Sequence, residues 1–579
     1  MCGIVGYVGY RNAGEVCREG LLSLEYRGYD SYGIAALTPE ISIFKKSGRI
    51  SESDELTNLS GCCAIGHTRW ATHGVPNEIN AHPHTDCKNK IAVVHNGIIE
   101  NYAKLKHGLV KRGHTFKSDT DTEVIPHLIE EKYNGDLFDA VSKVLPMLEG
   151  SYALLVICEG EDKIIAARKG SPLVFGIGDS EFILASDALP LLKYTRQAVY
   201  FEDGDVAEIT KEGYCIKNGK KSVKRDVVTV EWTADEVRRG GFEHYMLKEI
   251  YEQPEVFSNT VNSIKDYCDA LSAIKSAKSI TIAACGSSAH ASMIFSYLFE
   301  KFFRVPVRVV LASEFKYFPP PITDLVIGVS QSGETADTLA ALKLSKEMGA
   351  KTIAVTNVLG SSITRAADYT IFTRAGPEMS VAATKSFTSQ AAAFMEIVNI
   401  LSDNKLDAAI KEIQRFMPEV ISKNVNSAVK LCKSASTLLY VGRGLLYPAA
   451  LEGALKMKEI SYIHAEGYAA GELKHGPFAL LSKDTPVVSI CLPGTAYSVM
   501  MSNLKEIKAR KAPLIVIGTE RDKDLKDISD VFISIPKVSE YAGAVLSSVI
   551  LQIIAYHTAK ELGTDIDMPR NLAKSVTVE

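Results

Sequence analysis

No long basic tract interrupts this 579-residue sequence, and its net charge of −4 argues against general nucleic-acid binding. A disulfide framework is also missing. The 11 cysteines are odd in number and scattered, with Cys62-Cys63 the only adjacent pair, which predicts a reducing compartment. No basic and apolar leader precedes Gly3, so no signal peptide is expected and the chain reads as cytoplasmic. The longest uncharged run, Tyr541 to Ala559, could reach across a bilayer by length. It carries Ser547, Ser548, Gln552, Tyr556 and His557 and has no basic flank on its N-terminal side, which predicts a buried core helix instead. What remains is ordinary globular material, 46% apolar and 23% charged, long enough for three or four domains.

The chain opens Met1-Cys2-Gly3-Ile4-Val5-Gly6-Tyr7-Val8-Gly9. Cys2 is small enough for Met1 to be clipped, leaving a thiol and a free α-amine on one residue. An α-amine of pKa roughly 7.7–8.0 can act as general base for its own thiol, an arrangement suited to acyl transfer from amides. The plain alternative is a buried cysteine opening an apolar strand, Ile4 to Val8.

Up to about residue 231, short apolar alternations at Ile41–Phe44, Ile91–Val94, Ala153–Ile157 and Val174–Ile177 predict antiparallel strands in stacked sheets. Helices are expected near Ala13–Leu24, Asn101–Arg112 and Thr122–Glu131. Polar clusters stand at Tyr26–Ser31, His67–Gly74 (HTRWATHG), His95-Asn96-Gly97 and Ser118–Glu123. Together with Cys2, and in this order, they resemble the glutaminase domain of class II glutamine amidotransferases. The resemblance implies an N-terminal-nucleophile hydrolase, an α+β fold of αββα layers. It implies that Cys2 forms a thioester with glutamine while the Asn96 amide and Gly97 N–H stabilise the oxyanion, one such donor being worth about 3–4 kcal/mol of barrier. Arg69 would clamp the α-carboxylate with its planar fork and Asp121 the α-ammonium, with Trp70, Thr72 and His73 completing the glutamine site. Zinc is not expected: His67, His73, His82, His84 and Cys62-Cys63 fit no ligand spacing, and neither a metal nor another cofactor is implied.

A charged, turn-rich segment with Trp232 and Arg238-Arg239-Gly240-Gly241 marks a linker at 232–244. Beyond it the pattern changes to continuous apolar strands alternating with helices, which predicts a parallel sheet covered on both faces. Ser279–Ala284 runs into Cys285-Gly286-Ser287-Ser288, and Leu325–Val329 into Ser330-Gln331-Ser332-Gly333-Glu334-Thr335 and a helix at Ala336–Met348. Leu438–Gly444, Pro486–Leu492 and Leu514–Gly518 echo these, so two doubly wound α/β subdomains are expected, 245–415 and 416–569. The second copy has Leu492-Pro493-Gly494-Thr495 at the hydroxyl-rich turn, so one phosphate cradle per chain is expected. Ser-x-Ser-Gly-Glu-Thr resembles the phosphate site of the sugar isomerase (SIS) fold. That resemblance implies that Ser287, Ser288, Ser330, Gln331, Ser332 and Thr335, with Val381, hold a sugar phosphate. Glu452, Lys456 and Glu459 share one helix face by spacing, and His475 lies in a glycine-bounded loop sixteen residues on. The tail 570–579 is apolar and short-sided, as a docked segment would be.

Across its whole length the chain is similar to the amidotransferases that aminate and isomerise fructose 6-phosphate. The implied reaction is D-fructose 6-phosphate plus L-glutamine giving D-glucosamine 6-phosphate plus L-glutamate, a transfer of a nitrogenous group. Lys574 would form a Schiff base with the open-chain ketose, and His475, supplied by a neighbouring subunit of a homodimer or larger homo-oligomer, would open the ring. Glu459 would move the proton between C1 and C2, while Glu452 and Lys456 orient the sugar. Ammonia would cross a channel gated by Trp70 and lined by Arg27 and the tail. Ala383 stands where many members of the family carry Ser, so a hydroxyl contact to the sugar is missing. A deaminating or deglycating SIS enzyme and a non-catalytic sugar-phosphate sensor are the competing readings. The intact Cys2 region weighs against the first, and the lack of a helix-turn-helix against the second.

Overall fold

The computed structural model describes residues 2–52, 59–70, 73–233, 236–321 and 324–577. The chain divides into two compact units, residues 2–238 with 575–577 and residues 239–574. All 11 cysteines are free thiols.

The first unit is built on two antiparallel sheets. The eight-stranded sheet places Gly3–Val8 centrally, between Phe182–Ala185 and Cys63–Arg69. The seven-stranded sheet centres on Ile91–Ile99, Gly150–Cys158 and Glu161–Lys169. Alternate residues of both meet in one core: Ile4, Val8, Ile65 and Phe175 face Val94, Leu155, Ile157 and Ile164. The opposite face of the second sheet packs Val93, Leu154 and Val156 against Ile125, Leu128 and Val141 of the helices Val124–Lys132 and Leu137–Val144. Helix Ala13–Ser23 covers the first sheet, giving four layers in the order helix, sheet, sheet, helix. The strands and helices expected here all form.

The second unit contains two five-stranded parallel sheets with the same winding. In sequence numbering within each sheet the order is 2-1-3-4-5, with strand 1 at Ile280–Ala284 in one and Thr437–Gly442 in the other. The internal repeat is therefore a repeat of topology. The helices Gly286–Phe303, Lys385–Leu401, Leu446–Ser461 and Glu540–Leu562 bring one continuous core to both sheets. Helix Glu540–Leu562, apolar enough to span a membrane, is instead buried from Ala542 to Tyr556. Its apolar residues fill that core all round, as a helix without a polar face must. The boundary expected between residues 415 and 416 falls inside the helix Asp407–Ile421.

In such open sheets, ligands gather outside the carboxyl ends of the strands, where the strand order reverses. In the first half that is the pair of turns after Ile280–Ala284 and Leu325–Val329, at Cys285–Ser288 and Ser330–Thr335.

Candidate active sites

In the first unit, Cys2 lies at the mouth of strand Gly3–Val8. Its Sγ accepts the Trp70 N–H at 3.2 Å, and burial pushes the thiol up, opposed in part by that N–H and by Arg69. The Asn96 side-chain amide donates to the Cys2 carbonyl at 2.9 Å, and Arg27 reaches the same oxygen at 3.4 Å while pairing with Asp187 at 3.0 Å. Gly97 has φ +130, and a Cβ there would lie 2.1 Å from the Ser151 carbonyl, so only glycine fits beside Asn96. Arg69 is buried, its guanidinium held by the carbonyls of His73, Gly74 and Val75. Asp121 is buried and accepts the Ile99 N–H at 2.8 Å. Arg69 and Asp121 both lie near enough for their charges to act on the thiol. The structure thus gathers a thiol, an amide donor, a guanidinium and a carboxylate. Trp70 packs edge-on against Tyr29 and the His73 ring against Tyr102, at 5.7 and 5.6 Å. Thr72 and Met1 lie outside the described residues.

Three of the four histidines weighed as zinc ligands have a different setting. His67 stacks on His82 at 4.1 Å, His82 meets His84 edge-on at 4.8 Å, and His67 Nε2 bonds the His95 carbonyl at 3.0 Å. Burial pushes His67 down to about 3 and His82 and His84 well below the usual range, so all three are neutral packing groups.

In the second unit, the turn Ser330–Thr335 joins strand Leu325–Val329 to helix Ala336–Glu347. Ser330 Oγ bonds Thr335 Oγ1 at 2.8 Å and accepts the Gly333 N–H at 3.1 Å. Ser332 Oγ accepts the Glu334 N–H at 3.2 Å, and the Gln331 carbonyl ties the turn to Asn357. Gly333 has φ +65, and a Cβ would lie 2.2 Å from Ser361 Oγ, so the turn needs glycine for both reasons. Ser288 Oγ accepts from Gln390 at 3.0 Å.

Helix Leu446–Ser461 presents Glu452, Lys456 and Glu459 on one face, as the spacing predicts. That face is buried rather than solvated. Lys456 Nζ lies 3.4 Å from Glu452, 2.6 Å from Glu459 and 3.2 Å from Ser287 Oγ. Glu452 also binds Ser287 and His290, each at 2.8 Å. Burial works against every charge here. For Glu452 it is outweighed by Lys456 and His290, which hold the carboxyl below its usual range. For Glu459 burial wins over Lys456 and the carboxyl is raised. Lys456 stays above its ordinary value because its two carboxylates outweigh its own burial. Two carboxyls seven residues apart are thereby pushed in opposite directions, which separates a fixed anion from a group able to exchange protons.

Lys574, its side chain 5% exposed, pairs with the buried Glu378 and acts electrostatically on Glu459. Glu378 also accepts from Thr384 N, Ser386 N and Ser386 Oγ, and these bonds with Lys574 hold it down to about 2 despite burial. Beside it, burial and the Glu378 charge push Glu249 up to about 8. Sequence reasoning missed Glu378, Glu249 and His290. Glu378 is one acid in an Ala-Gly-Pro-Glu-Met loop, 196 residues from its partner, and nothing local marks it. Val381 donates its N–H to the Asp567 carbonyl at 2.9 Å. His475 is exposed at the end of the 3-10 turn Ala470–His475.

The corresponding turn of the second half is filled from within. Glu540 accepts from Thr495 N at 3.2 Å and Thr495 Oγ1 at 3.3 Å and pairs with Lys301 at 3.1 Å. A carboxylate of the chain thus lies among the donors that face outward from that switch point.

A family model of the glutamine amidotransferase domain matches residues 67–193, and one of the SIS domain matches twice, at 273–400 and 431–561. Fold and site together define a class: a glutamine amidotransferase domain joined to two SIS domains. The glutamine–fructose-6-phosphate aminotransferase (isomerizing) of Chlorobaculum tepidum is 45% identical over 617 residues, with the whole of both chains covered. That of Pyrococcus horikoshii is 46% identical over 602 residues, again with both fully covered. Among solved structures, the C-terminal domain of glucosamine-fructose-6-phosphate aminotransferase from Francisella tularensis matches at TM-score 0.54 and 35% identity, covering 57% of this chain and 99% of that one. The chain belongs to the family of isomerizing glutamine–fructose-6-phosphate aminotransferases.

Proposed function

We propose that the chain moves the side-chain nitrogen of L-glutamine onto D-fructose 6-phosphate, giving D-glucosamine 6-phosphate and L-glutamate. The observation that carries the sugar half is the buried grouping of Lys574, Glu378, Lys456 and Glu459 in one electrostatic neighbourhood. Full-length similarity to relatives with that printed name supports the whole.

With Met1 removed, the Cys2 amine takes the thiol proton and the thiolate attacks the glutamine amide carbon. The oxyanion is met by the Asn96 amide and Gly97 N–H, the leaving ammonia takes a proton, and water then hydrolyses the thioester to glutamate. Arg69 binds the α-carboxylate and Asp121 the α-ammonium, with Trp70, Thr72 and His73 walling the site. A buried guanidinium already held by three carbonyls keeps its fork oriented before substrate arrives, which limits the ordering cost of binding.

At the other site, Ser287, Ser288, Ser330, Gln331, Ser332 and Thr335 take the 6-phosphate at the start of helix Ala336–Glu347. The Val381 N–H is engaged, so a sugar hydroxyl would meet its carbonyl, and Ala383 contributes no hydroxyl. His475 opens the ring from a neighbouring subunit of a homodimer or larger assembly, a role supported by its exposure. Lys574 loses a proton, adds to C2 and expels water as the imine forms. Ammonia then displaces Lys574, and Glu459 carries a proton from C1 to C2. Its raised affinity for protons suits that exchange, while Glu452 remains an anion beside Lys456. Ammonia passes from Cys2 to C2 through a channel gated by Trp70 and lined by Arg27 and the tail.

The working domains are 1–231, 245–415 and 416–569, with 232–244 as linker and 570–579 as docked tail, acting in the cytoplasm. Cys2→Ala tests the glutaminase half. Glutamate release should fall to background, and continued release at the wild-type rate would remove Cys2 from the mechanism.

A further inference from the structure

A second group of ligating side chains lies in the first unit, outside the thiol site. Cys87 sits in the turn between strands His84–Thr85 and Ile91–Ile99, and His114 follows helix Tyr102–Lys111. His127 and Glu130 stand one turn apart on helix Val124–Lys132. One donor atom from each of these four residues lies within 4.8 Å of the other three.

The separations have the size of a coordination polyhedron. Cys87 Sγ is 3.5 Å from both His114 Nδ1 and His127 Nδ1. Glu130 Oε2 is 3.3 Å from His114 Nδ1 and 3.8 Å from His127 Nδ1. With Zn–S of about 2.3 Å and Zn–N or Zn–O of about 2.0–2.1 Å, a tetrahedral angle sets S and N about 3.5 Å apart and N and O about 3.3 Å apart. Three of the four separations match, and the fourth is half an ångström long.

The surroundings orient these donors. His114 Nε2 lies 3.2 Å from Glu131 Oε1, and His127 Nε2 lies 3.8 Å from Glu123 Oε1. The carboxylate bonded to His114 Nε2 favours the tautomer that keeps the proton there and turns that Nδ1 lone pair inward, the usual support of a metal-bound histidine, while Glu123 acts on His127 by charge alone. Facing one another are then two imidazole Nδ1 atoms, a thiol and a carboxylate oxygen that also accepts the Cys87 N–H at 3.3 Å, so acceptors outnumber the protons between them. Such a centre calls for a cation. A thiolate and a carboxylate cancel a 2+ charge, and a Cys-His-His-Glu donor set favours Zn2+ over hard cations.

We infer that Cys87, His114, His127 and Glu130 form a closed, four-coordinate Zn2+ site of structural type. Binding releases the Cys87 thiol proton to solvent, and the exposed thiol gives the ion its way in. The site fastens the chain between the two helices. One helical turn before His127, Glu123 accepts from Lys117 N at 2.7 Å, Ser118 N at 2.6 Å and Ser118 Oγ at 2.7 Å, just ahead of Asp121. The sequence expectation of no metal is set aside here. The four residues are 27, 13 and 3 positions apart in order, which matches no compact ligand motif.

The test uses the full-length protein, untagged, stripped with a chelator and reloaded with Zn2+ or Co2+. The expected result is zinc stoichiometric with chain after reloading and desalting, lost in Cys87→Ser and retained in Cys62→Ser, a second exposed thiol of the same unit. The Co2+ form of the wild type should show a thiolate charge-transfer band and the intense d–d bands of tetrahedral geometry. Should Cys87→Ser not fold, that spectrum decides alone. Zinc retained by folded Cys87→Ser, no zinc above the stripped baseline in the wild type, or a cobalt spectrum without the thiolate band would each overturn the assignment.

Discussion

The two halves of the second unit share a sheet order and differ in what lies at the end of the third strand. After Leu325–Val329, hydroxyls and a left-handed glycine shape the turn Ser330–Thr335, tied by bonds from Ser330 to Thr335 and Gly333. After Val487–Ile490, Thr495 is already bonded to a carboxylate, Glu540, itself paired with Lys301. Both turns sit at the same topological switch point, where the fold offers an anion site. Duplicating a fold duplicates the opportunity, and the side chains that fill the turn decide whether a ligand takes it. The second half instead contributes the buried face of helix Leu446–Ser461, where Glu452 accepts from Ser287 of the first half, so one side-chain cluster draws on both copies.

The largest effect should come from the side of the comparison that carries chemistry. Lys574→Ala is expected to reduce amino-sugar formation to background while glutamate release from glutamine persists. Both activities surviving would refute the Schiff-base role. Next, Glu459→Gln should lower the rate of sugar isomerisation by about 10²–10⁴-fold with little change in fructose 6-phosphate binding, measured by following exchange of the C1 proton with solvent. Ser332→Ala should raise the KM for fructose 6-phosphate about 10–100-fold and leave KM for glutamine unchanged, as expected for a lost hydrogen bond to a charged group of about 1.5–3 kcal/mol. The smallest effect belongs to the other half. Glu540→Gln should leave both KM values alone and shift stability by no more than about 1 kcal/mol in chemical denaturation, because its partner Lys301 is partly exposed. A large KM change there would mean that the second turn takes part in sugar binding.

Much of this was legible in the sequence because it is local. Strand alternation, the apolar runs of the parallel sheets, the Ser-x-Ser-Gly-Glu-Thr turn and the spacing of Glu452, Lys456 and Glu459 all lie within a few residues of the features they define. The thiol at position 2 and the octapeptide His67–Gly74 could be placed together only through resemblance. What the sequence hid depends on distant returns of the chain. Glu378 meets Lys574 across 196 residues, Glu540 meets Thr495 across 45, and Cys87 meets His127 across 40. Burial of the Glu452 face was also hidden, since acids and a lysine at helical spacing read equally well as a solvated surface. Only the packing of Leu446–Ser461 in the shared core distinguishes the two.

The central claim is that nitrogen freed at Cys2 ends on the sugar held near Lys574. Feeding L-glutamine labelled with 15N in the side-chain amide, together with fructose 6-phosphate and unlabelled ammonium, tests it directly by mass spectrometry of the product. The account predicts glucosamine 6-phosphate carrying the label at nearly the enrichment of the glutamine. Product diluted to the isotopic composition of the bulk ammonium, or no amino sugar at all, would contradict it.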